Sequence, residues 1–289
     1  MKKLLLVTGW LLVGCDETPD ENEDTGQPGI VRSDTVPIRF AALTVDLPAV
    51  DVCWSVDGAP SPIVTGLSYP TMTQYADVPL AQGAEVTVAP AGAGCDSEDG
   101  IVVAVERRDD DDPTHRTLVF VGDAEPGLAE MIGFEAILLS DDPEPPTTGA
   151  KVRNFHADPV APVIDVGVQA LTGQPTFLFE EVAYTQTAGG SSLGEVTARG
   201  YVDGVPLIRL PVDVFDHVTG DWILTIEGAP PFAEGKIYTL FPAGKVTTGR
   251  AEVLICEDET IPYAERPFAS CELIEATDCN PAYCGDDLP

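Results

Sequence analysis

The chain has 289 residues, of which 48 are acidic and 15 basic, so its formal charge at pH 7 is −33. Proteins bind nucleic acid by releasing counterions from phosphates with Lys and Arg, and anionic membrane surfaces attract the same residues. The composition therefore disfavours both partners. So many carboxylates favour a solvated, self-repelling surface. A divalent-cation site is the alternative interpretation, although carboxylates alone do not form a coordination cage.

The N-terminus has the pattern of an export signal. M-K-K gives a short positive start, and residues 4–12 form an apolar run too short to span a membrane. The run ends in L-V-G-C at Cys15, which resembles the bacterial lipoprotein signal, in which the cysteine is lipidated and becomes the mature N-terminus. We therefore expect residues 1–14 to be a signal peptide and Cys15 to carry a lipid anchor. An ordinary signal peptide with a chance cysteine is the alternative.

Residues 15–34 are predicted to form a flexible acidic tether. The stretch after Cys15 reads D-E-T-P-D-E-N-E-D-T-G-Q-P-G and has almost no apolar side chain. Such a segment cannot offset the entropy that it would lose on ordering. We therefore expect the folded part of the chain to begin near residue 35.

The remainder has the composition of an all-β protein. Its 26 prolines and 27 glycines break helices and mark turns, and Val, Ile and Thr fill the segments between them. In chain order the predicted strands are 36–42, 50–56, 63–67, 72–78, 84–89, 101–106, 116–121, 135–139, 152–156, 163–168, 176–179, 195–202, 205–214, 222–227, 236–241 and 252–256. A helical turn is predicted at 126–131, and Asp203-Gly204 is a two-residue hairpin signal.

An internal repeat divides this β region into two copies. P-I-R-F-A-A-L-T-V-D-L-P-A-V-D-V-C-W, which contains Arg39 and Asp51, aligns without a gap on K-V-R-N-F-H-A-D-P-V-A-P-V-I-D-V-G-V, which contains Arg153 and Asp165. The separation is 114 positions (153 − 39). We therefore predict two tandem β-sandwich domains, at 35–142 and 150–258, followed by a cysteine-rich tail at 259–289.

The shared skeleton has a physical interpretation. Alternate residues of a strand share a face, so the V-D-V segments should direct their valines into the core and their aspartates away from it. Arg39 and Asp51 have the same separation as Arg153 and Asp165. If each pair lies on an antiparallel hairpin, it forms a structural cross-strand ion pair worth about 0.2–1 kcal/mol when exposed.

The second copy resembles domain-of-unknown-function 4397. That family opens with an arginine, then an H-A-x-P step and a V-D-V strand, and the matching residues are Arg153, His156, Ala157, Pro159, Pro162 and Asp165. The first copy departs from the pattern, with Ala42 in place of the histidine and Val45 in place of the first proline. The resemblance implies immunoglobulin-like β domains in a bacterial envelope or secreted protein, with no catalytic residues to carry over.

The cysteines are consistent with export. Removing Cys15 from the total of seven leaves six (7 − 1), an even number that suggests three disulfides in an oxidising compartment. Cys53 and Cys95 lie in the first repeat and are expected to pair. Cys256, Cys271, Cys279 and Cys284 allow three pairings, of which Cys256–Cys271 with Cys279–Cys284 is favoured. Zinc binding by these four is the alternative.

Two groups of residues are candidates for function. His156 and Asp158 occur only in the second copy, as a ligand-binding pair or as a turn-capping imidazole beside a carboxylate. Residues 190–194 fit G-x-S-x-G with Ser192 as the serine of the motif. Asp213 and His217 follow it, which is the chain order of the catalytic residues in α/β-hydrolases. That motif requires a strand, a tight elbow and a helix, whereas the residues after it are strand-like, so the hydrolase is only an alternative.

Together these patterns predict a non-catalytic, lipid-anchored protein of the cell envelope, at the outer membrane or cell surface. Its two β-sandwich domains would serve in binding, adhesion or surface structure, with a carbohydrate or another envelope protein as partner. No cofactor and no metal site are expected. The sequence lacks H-E-x-x-H, C-x-x-C, a phosphate-binding loop and a dinucleotide fingerprint.

Overall fold

A computed structural model of the chain describes residues 35–45, 47–55, 60–79, 85–98, 100–104, 115–123, 132–169, 175–206, 211–227, 232–245, 250–259 and 262–284. Contacts divide the chain into Met1–Ser33 and a second compact unit, Asp34–Pro289, which contains both repeats. The signal peptide, Cys15, the tether and the predicted helical turn at 126–131 lie outside the described residues. Within those residues, no helix is long and apolar enough to cross a membrane.

The first repeat is a β sandwich of two sheets. Its strands are β1 (Thr35–Ala42), β2 (Val50–Ser55), β3 (Ser61–Leu67), β4 (Thr71–Met72), β5 (Ala76–Pro79), β6 (Glu85–Pro90), β7 (Ile101–Ala104), β8 (Arg116–Asp123) and β9 (Ile132–Ser140). The first outer sheet has the order β3-β2-β6-β7. The first inner sheet has the order β4-β1-β8-β9, and β5 also pairs with β1.

The second repeat has the same plan. Its strands are β10 (Ala150–Asn154), β11 (Ile164–Gln169), β12 (Pro175–Val182), β13 (Tyr201–Val205), β14 (Val212–Asp216), β15 (Trp222–Ile226), β16 (Ile237–Lys245) and β17 (Arg250–Glu257). Two tail strands, β18 (Cys271–Glu275) and β19 (Asp278–Cys279), precede helix α1 (Pro281–Cys284). The second inner sheet has the order β13-β10-β16-β17-β18, and the second outer sheet has the order β12-β11-β14-β15-β19.

The predicted all-β fold class is therefore confirmed, and the repeat extends to strand pairing. In each copy the first strand runs parallel to a late strand, β1 to β8 and β10 to β16, and these pairings place Arg39 opposite Thr117 and Arg153 opposite Thr239. The V-D-V segments lie on β2 and β11 of the outer sheets. The apolar residues on either side of each aspartate, Val50 and Val52 in β2 and Ile164 and Val166 in β11, are buried in the two sandwich cores, as the alternation predicted.

One turn prediction was wrong. The Asp203-Gly204 signal lies inside β13 and does not join two strands. Gly204 has φ of 71°, and the pairing of β13 with β10 shifts register there, between Val202 and Val205. A glycine with positive φ is what a β-bulge needs as well as what a hairpin turn needs, so the same dipeptide fits both.

The two inner sheets pack face to face and form a third apolar core. Its members come from both repeats and include Ala41, Met72 and Val119 on one side and Phe155 and Phe241 on the other. All five are at most 1% exposed. The molecule therefore has four layers, in the order first outer, first inner, second inner and second outer sheet. The repeats share a core that neither could bury alone.

Four buried charges lie in this central layer and connect the repeats reciprocally. Arg39 of the first repeat forms an ion pair with Asp258 of the second, at 2.8 Å between Nη1 and Oδ1. Arg153 of the second forms one with Asp141 of the first, at 2.7 Å between Nη2 and Oδ1. The side chains are at most 4% exposed. Each arginine thus has its closest counter-charge on the other repeat, and Arg39 Nε also lies 3.5 Å from Asp141 Oδ2 of its own repeat.

Neutral side chains complete this network symmetrically. Thr117 and Tyr75 donate to Asp141, while Thr239 and Tyr201 donate to Asp258. Arg39 also lies over the Tyr75 ring at 5.1 Å, and Arg153 over the Tyr201 ring at 4.6 Å. Burial opposes ionisation of Asp141, but Arg39, Arg153 and the hydrogen bond from Thr117 outweigh it and hold the pKa of this carboxyl below its usual value.

The predicted ion pairs Arg39–Asp51 and Arg153–Asp165 are therefore wrong. β1 and β2 do not form a hairpin, because they belong to opposite sheets of one sandwich, and the same holds for β10 and β11. Each arginine points towards the other repeat, whereas each aspartate lies on the far side of an outer sheet. Equal spacing in both copies indicated a shared structure correctly but misidentified the partner.

The C-terminal tail is a structural element that spans both repeats. The segment 262–269, here called the strap, follows β17 and runs along the open edge of β4 and β5 in the first repeat. Its backbone hydrogen bonds link Tyr263 to Tyr75, Pro267 to Gln74, and Ala269 to Met72. The chain then returns to the second repeat, where β18 extends the inner sheet beside β17 and β19 extends the outer sheet beside β15.

All six cysteines of the described residues are paired. The structure joins Cys53 to Cys95, Cys256 to Cys271, and Cys279 to Cys284, which is the favoured arrangement among those left open by the sequence. The second disulfide closes the loop that contains the strap, since its cysteines are opposite each other on β17 and β18. The third attaches helix α1 beside β19.

Replacing Arg39 with methionine should lower the free energy of unfolding by about 3–5 kcal/mol, because Asp258 would remain buried without its counter-charge. Urea denaturation would measure the change. Lys236→Met is the control, since Lys236 pairs with Glu257 but is 51% exposed, and its loss should cost less than about 1 kcal/mol. Equal effects of the two substitutions would contradict the assigned role of the buried network.

Candidate functional site

The shared aspartates of the V-D-V segments brace bulges in the outer sheets. Asp51 accepts hydrogen bonds from the backbone N–H groups of Gly66, at 3.0 Å, and Gly92, at 2.8 Å. Asp165 accepts one from the N–H of Glu181, at 2.8 Å. Gly66 and Glu181 have φ of 69° and 56° and lie where the pairing with β2 or β11 shifts register. The repeated aspartate is therefore a framework residue in both copies.

Asp165 has an additional partner on the surface. His217 Nδ1 lies 2.9 Å from Asp165 Oδ1, and the His217 side chain is 39% exposed. The hydrogen bond with Asp165, together with its charge, raises the pKa of His217. His217 follows β14, and this ion pair has no counterpart among the described residues of the first repeat.

His156 and Asp158 form a closed turn. His156 is fully buried, its Nδ1 accepts the N–H of Asp158 at 3.3 Å, and its Nε2–H donates to the Pro162 carbonyl at 3.0 Å. Asp158 in turn accepts the N–H groups of Val160 and Ala161. Both side chains border a cavity of about 30 Å³, which is room for about one water molecule. The geometry favours the turn-capping interpretation over ligand binding.

Burial determines the protonation of this imidazole. Removal from water disfavours the charged form and lowers the pKa of His156 to about 4, against the opposing effect of its bond to Pro162. His156 is therefore neutral at pH 7, in the tautomer that carries its proton on Nε2. Its two nitrogens are occupied, so it has no ring atom available to accept a proton from a substrate.

The three residues of the hydrolase alternative do not form a triad in the structure. Ser192 donates to Glu180 at 2.7 Å, Asp213 accepts from Thr225 at 2.6 Å, and His217 pairs with Asp165. Each is thus hydrogen-bonded to a residue outside the trio. The nucleophile elbow of this motif requires a helix directly after the serine, and residues 193–206 contain none.

The outer surface of the second outer sheet holds a cluster that sequence reasoning missed. On β11 and β14, Gly167 is opposite Asp213 and Asp165 is opposite Phe215, and all four alternate with valines and an isoleucine of the core. By this alternation they point away from the core. On the neighbouring strands, Phe177 is opposite Gly167, Thr225 is opposite Asp213 and Trp222 is opposite Phe215.

We call this cluster the aromatic face, and its members are Phe177, Phe215, Trp222, Thr225 and Asp213.

Contacts within the aromatic face hold its members in place. The Phe177 and Phe215 rings meet edge to face at 5.7 Å between centroids, and Trp222 is opposite Phe215 on the next strand. The Trp222 indole N–H donates to Thr225 Oγ1 at 3.0 Å, and this hydroxyl donates to Asp213 Oδ1. The Trp–Thr–Asp chain therefore holds the indole along β15, and Trp222 is partly exposed there.

The corresponding surface of the first repeat is different. Cys53 occupies the position of Gly167, opposite Thr87 where the second repeat has Asp213, and Val102 stands in place of Thr225. Cys53 forms the disulfide with Cys95 there. The repeats thus share their framework and differ on this surface. The sequence signal was available, because Asp213 and Phe215 alternate with the core residues Val212 and Val214.

The described residues contain no group of three or more His, Cys, Asp or Glu side chains that could hold a metal ion. The four tail cysteines, for which zinc was the alternative, are joined in two disulfides. Cys15 lies outside the described residues, and its lipidation stays a prediction.

Comparisons with known proteins are sparse. No protein-family model matches the chain, and no curated protein does. Among solved structures, the chain is similar to a crystal structure described as a putative cell adhesion protein from Bacteroides uniformis, at 8% sequence identity and a TM-score of 0.22. That match covers 79% of this chain and 100% of the other. A likeness at this level carries no conclusion about function.

The two bulges make a matched pair for a stability test. Gly66→Ala should lower the free energy of unfolding by about 1 kcal/mol, because a side chain at positive φ is strained although a Cβ there would meet no atom within 4 Å. Glu181→Gly should raise it by about 0.5–1 kcal/mol by relieving the same strain. Chemical denaturation would measure both, and a destabilising Glu181→Gly would contradict the strain.

The buried His156 predicts a pH dependence of stability. Between pH 6.5 and 4 the unfolded chain binds a proton at this position and the native chain does not, so the free energy of unfolding falls as the pH is lowered through that window. The pKa of about 4 gives a loss of about 3 kcal/mol. The measurement is denaturation of wild type and His156→Gln at both pH values. Parallel curves for the two proteins would contradict the assignment.

Proposed function

We propose that the chain is a non-catalytic protein of the bacterial cell envelope, exported and lipid-anchored through Cys15. Its two β sandwiches, which pack together through a shared core, would bind a partner outside the cytoplasm. The observation that carries the proposal is the pairing of six cysteines into three disulfides. Disulfides of this kind persist in oxidising compartments. Cys15 is then the one cysteine without a partner in the chain, and it stands where a lipoprotein signal would place it.

The construction of the folded unit favours a role in presentation and binding. The strap, the shared core and the reciprocal ion pairs join the repeats into one unit. The acidic residues 16–29 are predicted to be a flexible tether between this unit and the anchor, since a segment of their composition does not favour folding. The resemblance of the second repeat to domain-of-unknown-function 4397 agrees with such a location.

The hydrolase remains the weaker candidate. It would need Ser192, Asp213 and His217 in one hydrogen-bonded chain, and each has a different partner. A binding protein requires none of these contacts, and the aromatic face offers it a surface that the first repeat lacks.

Mass spectrometry of the protein from bacterial membranes tests the proposal. The expected product begins at an acylated Cys15, lacks residues 1–14 and has no free thiol. A matched Cys15→Ser variant should keep the three disulfides but leave the membrane fraction. A mature N-terminus elsewhere, or free thiols among the six paired cysteines, would contradict the proposal.

A further inference from the structure

The aromatic face of the second repeat combines groups that a ligand would use. Trp222 and Phe177 are partly exposed, and Phe215 lies between them at 9% exposure. Asp213 is 4% exposed and lies directly beside them on β14. Aromatic rings adjoining a largely buried carboxylate offer an apolar contact next to a strong hydrogen-bond acceptor.

Only one of the two carboxylate oxygens of Asp213 accepts a hydrogen bond from the described residues. Thr225 donates to Asp213 Oδ1 at 2.6 Å, and Oδ2 receives no hydrogen bond from the part of the chain that the structure describes. Thr225 cannot donate to a second partner, because a hydroxyl has one proton. A ligand at this position must therefore bring its own O–H or N–H group to Oδ2.

The indole sets a second requirement. Its N–H is already bonded to Thr225, so Trp222 offers a ligand only its π surface. That surface accepts C–H groups or a cation and does not donate a hydrogen bond. The ligand must therefore present an apolar or cationic face next to hydrogen-bond donors, within the distance between neighbouring strands.

We propose that the aromatic face is a carbohydrate-binding site, where a pyranose ring stacks on Trp222 and donates a hydroxyl hydrogen to Asp213 Oδ2. A sugar ring has C–H groups on its face and hydroxyl donors around its edge, which satisfies both requirements at once. This inference rests on the proposed function, because an exported protein meets glycans outside the cytoplasm.

Charge narrows the class of sugar. Asp213 belongs to the face, Asp165 is opposite Phe215, and Glu180 and Glu181 stand on the neighbouring strand β12. The exposed His217 is paired with Asp165 and does not neutralise the others. Anionic glycans such as polyuronates are repelled by such a surface, so the site selects neutral or amino-bearing sugars.

Calorimetric titration of the full-length protein in detergent tests the proposal with three hexasaccharides: a neutral glucan, a glucosamine oligomer and a galacturonate oligomer. Binding of the first two but not the third is expected. Trp222→Ala and Asp213→Asn should each weaken binding at least about tenfold, and Trp222→Phe should retain most of it. Asp213→Asn keeps the acceptor for Thr225, so it separates loss of binding from loss of fold.

Val102→Ala supplies the matched control, because Val102 holds the equivalent position to Thr225 in the first repeat and is 59% exposed. It should leave affinity unchanged. Failure of all three sugars to bind, tighter binding of the galacturonate oligomer, or affinities unaffected by Trp222→Ala and Asp213→Asn would each overturn the site. Because purified protein is used, these outcomes are independent of whether Cys15 is acylated.

Discussion

The reciprocal ion pairs between Arg39 and Asp258 and between Arg153 and Asp141 are the interaction on which the rest of the structure depends. Burying four charges costs more than the pairs return unless every partner is present, so they specify an arrangement more than they stabilise it. A single repeat would leave its arginine facing an inner surface without its closest counter-charge. The two repeats are thus complementary halves of one folded unit, although their sequences suggest two independent domains.

The two repeats match each other in their inner sheets and differ in their outer sheets. The inner sheets keep matching arginines, threonines and aspartates because each copy must fit the other. The outer sheets face solvent and are free of that requirement. One of them carries the Cys53–Cys95 disulfide, and the other carries Phe177, Phe215 and Trp222 over Asp213. Positions that differ between the copies therefore indicate where the second repeat has a property of its own.

The fold could be predicted from the sequence more accurately than the contacts between side chains could. Alternation in V-D-V gave the buried valines, because the pleat has a period of two whatever the sheet order. The partner of Arg39 depended on which strands share a sheet, and a gapless repeat carries no information about that. Asp141 and Asp258 each stand next to a second acidic residue, Asp142 and Glu257, so the sequence did not show which carboxylate of each pair is the buried partner. The aromatic face was missed because its residues come from three strands and converge only when the sheet forms.

The strap has a consequence for the order in which the molecule is made. The edge of β4 and β5 in the first repeat is completed by residues 262–269, and the closest counter-charge of Arg39 is residue 258. The first repeat therefore gains this edge and this counter-charge only after residues 258–269 have been synthesised. The first repeat can thus reach its native packing only once the strap has left the ribosome, even though its own strands are synthesised much earlier.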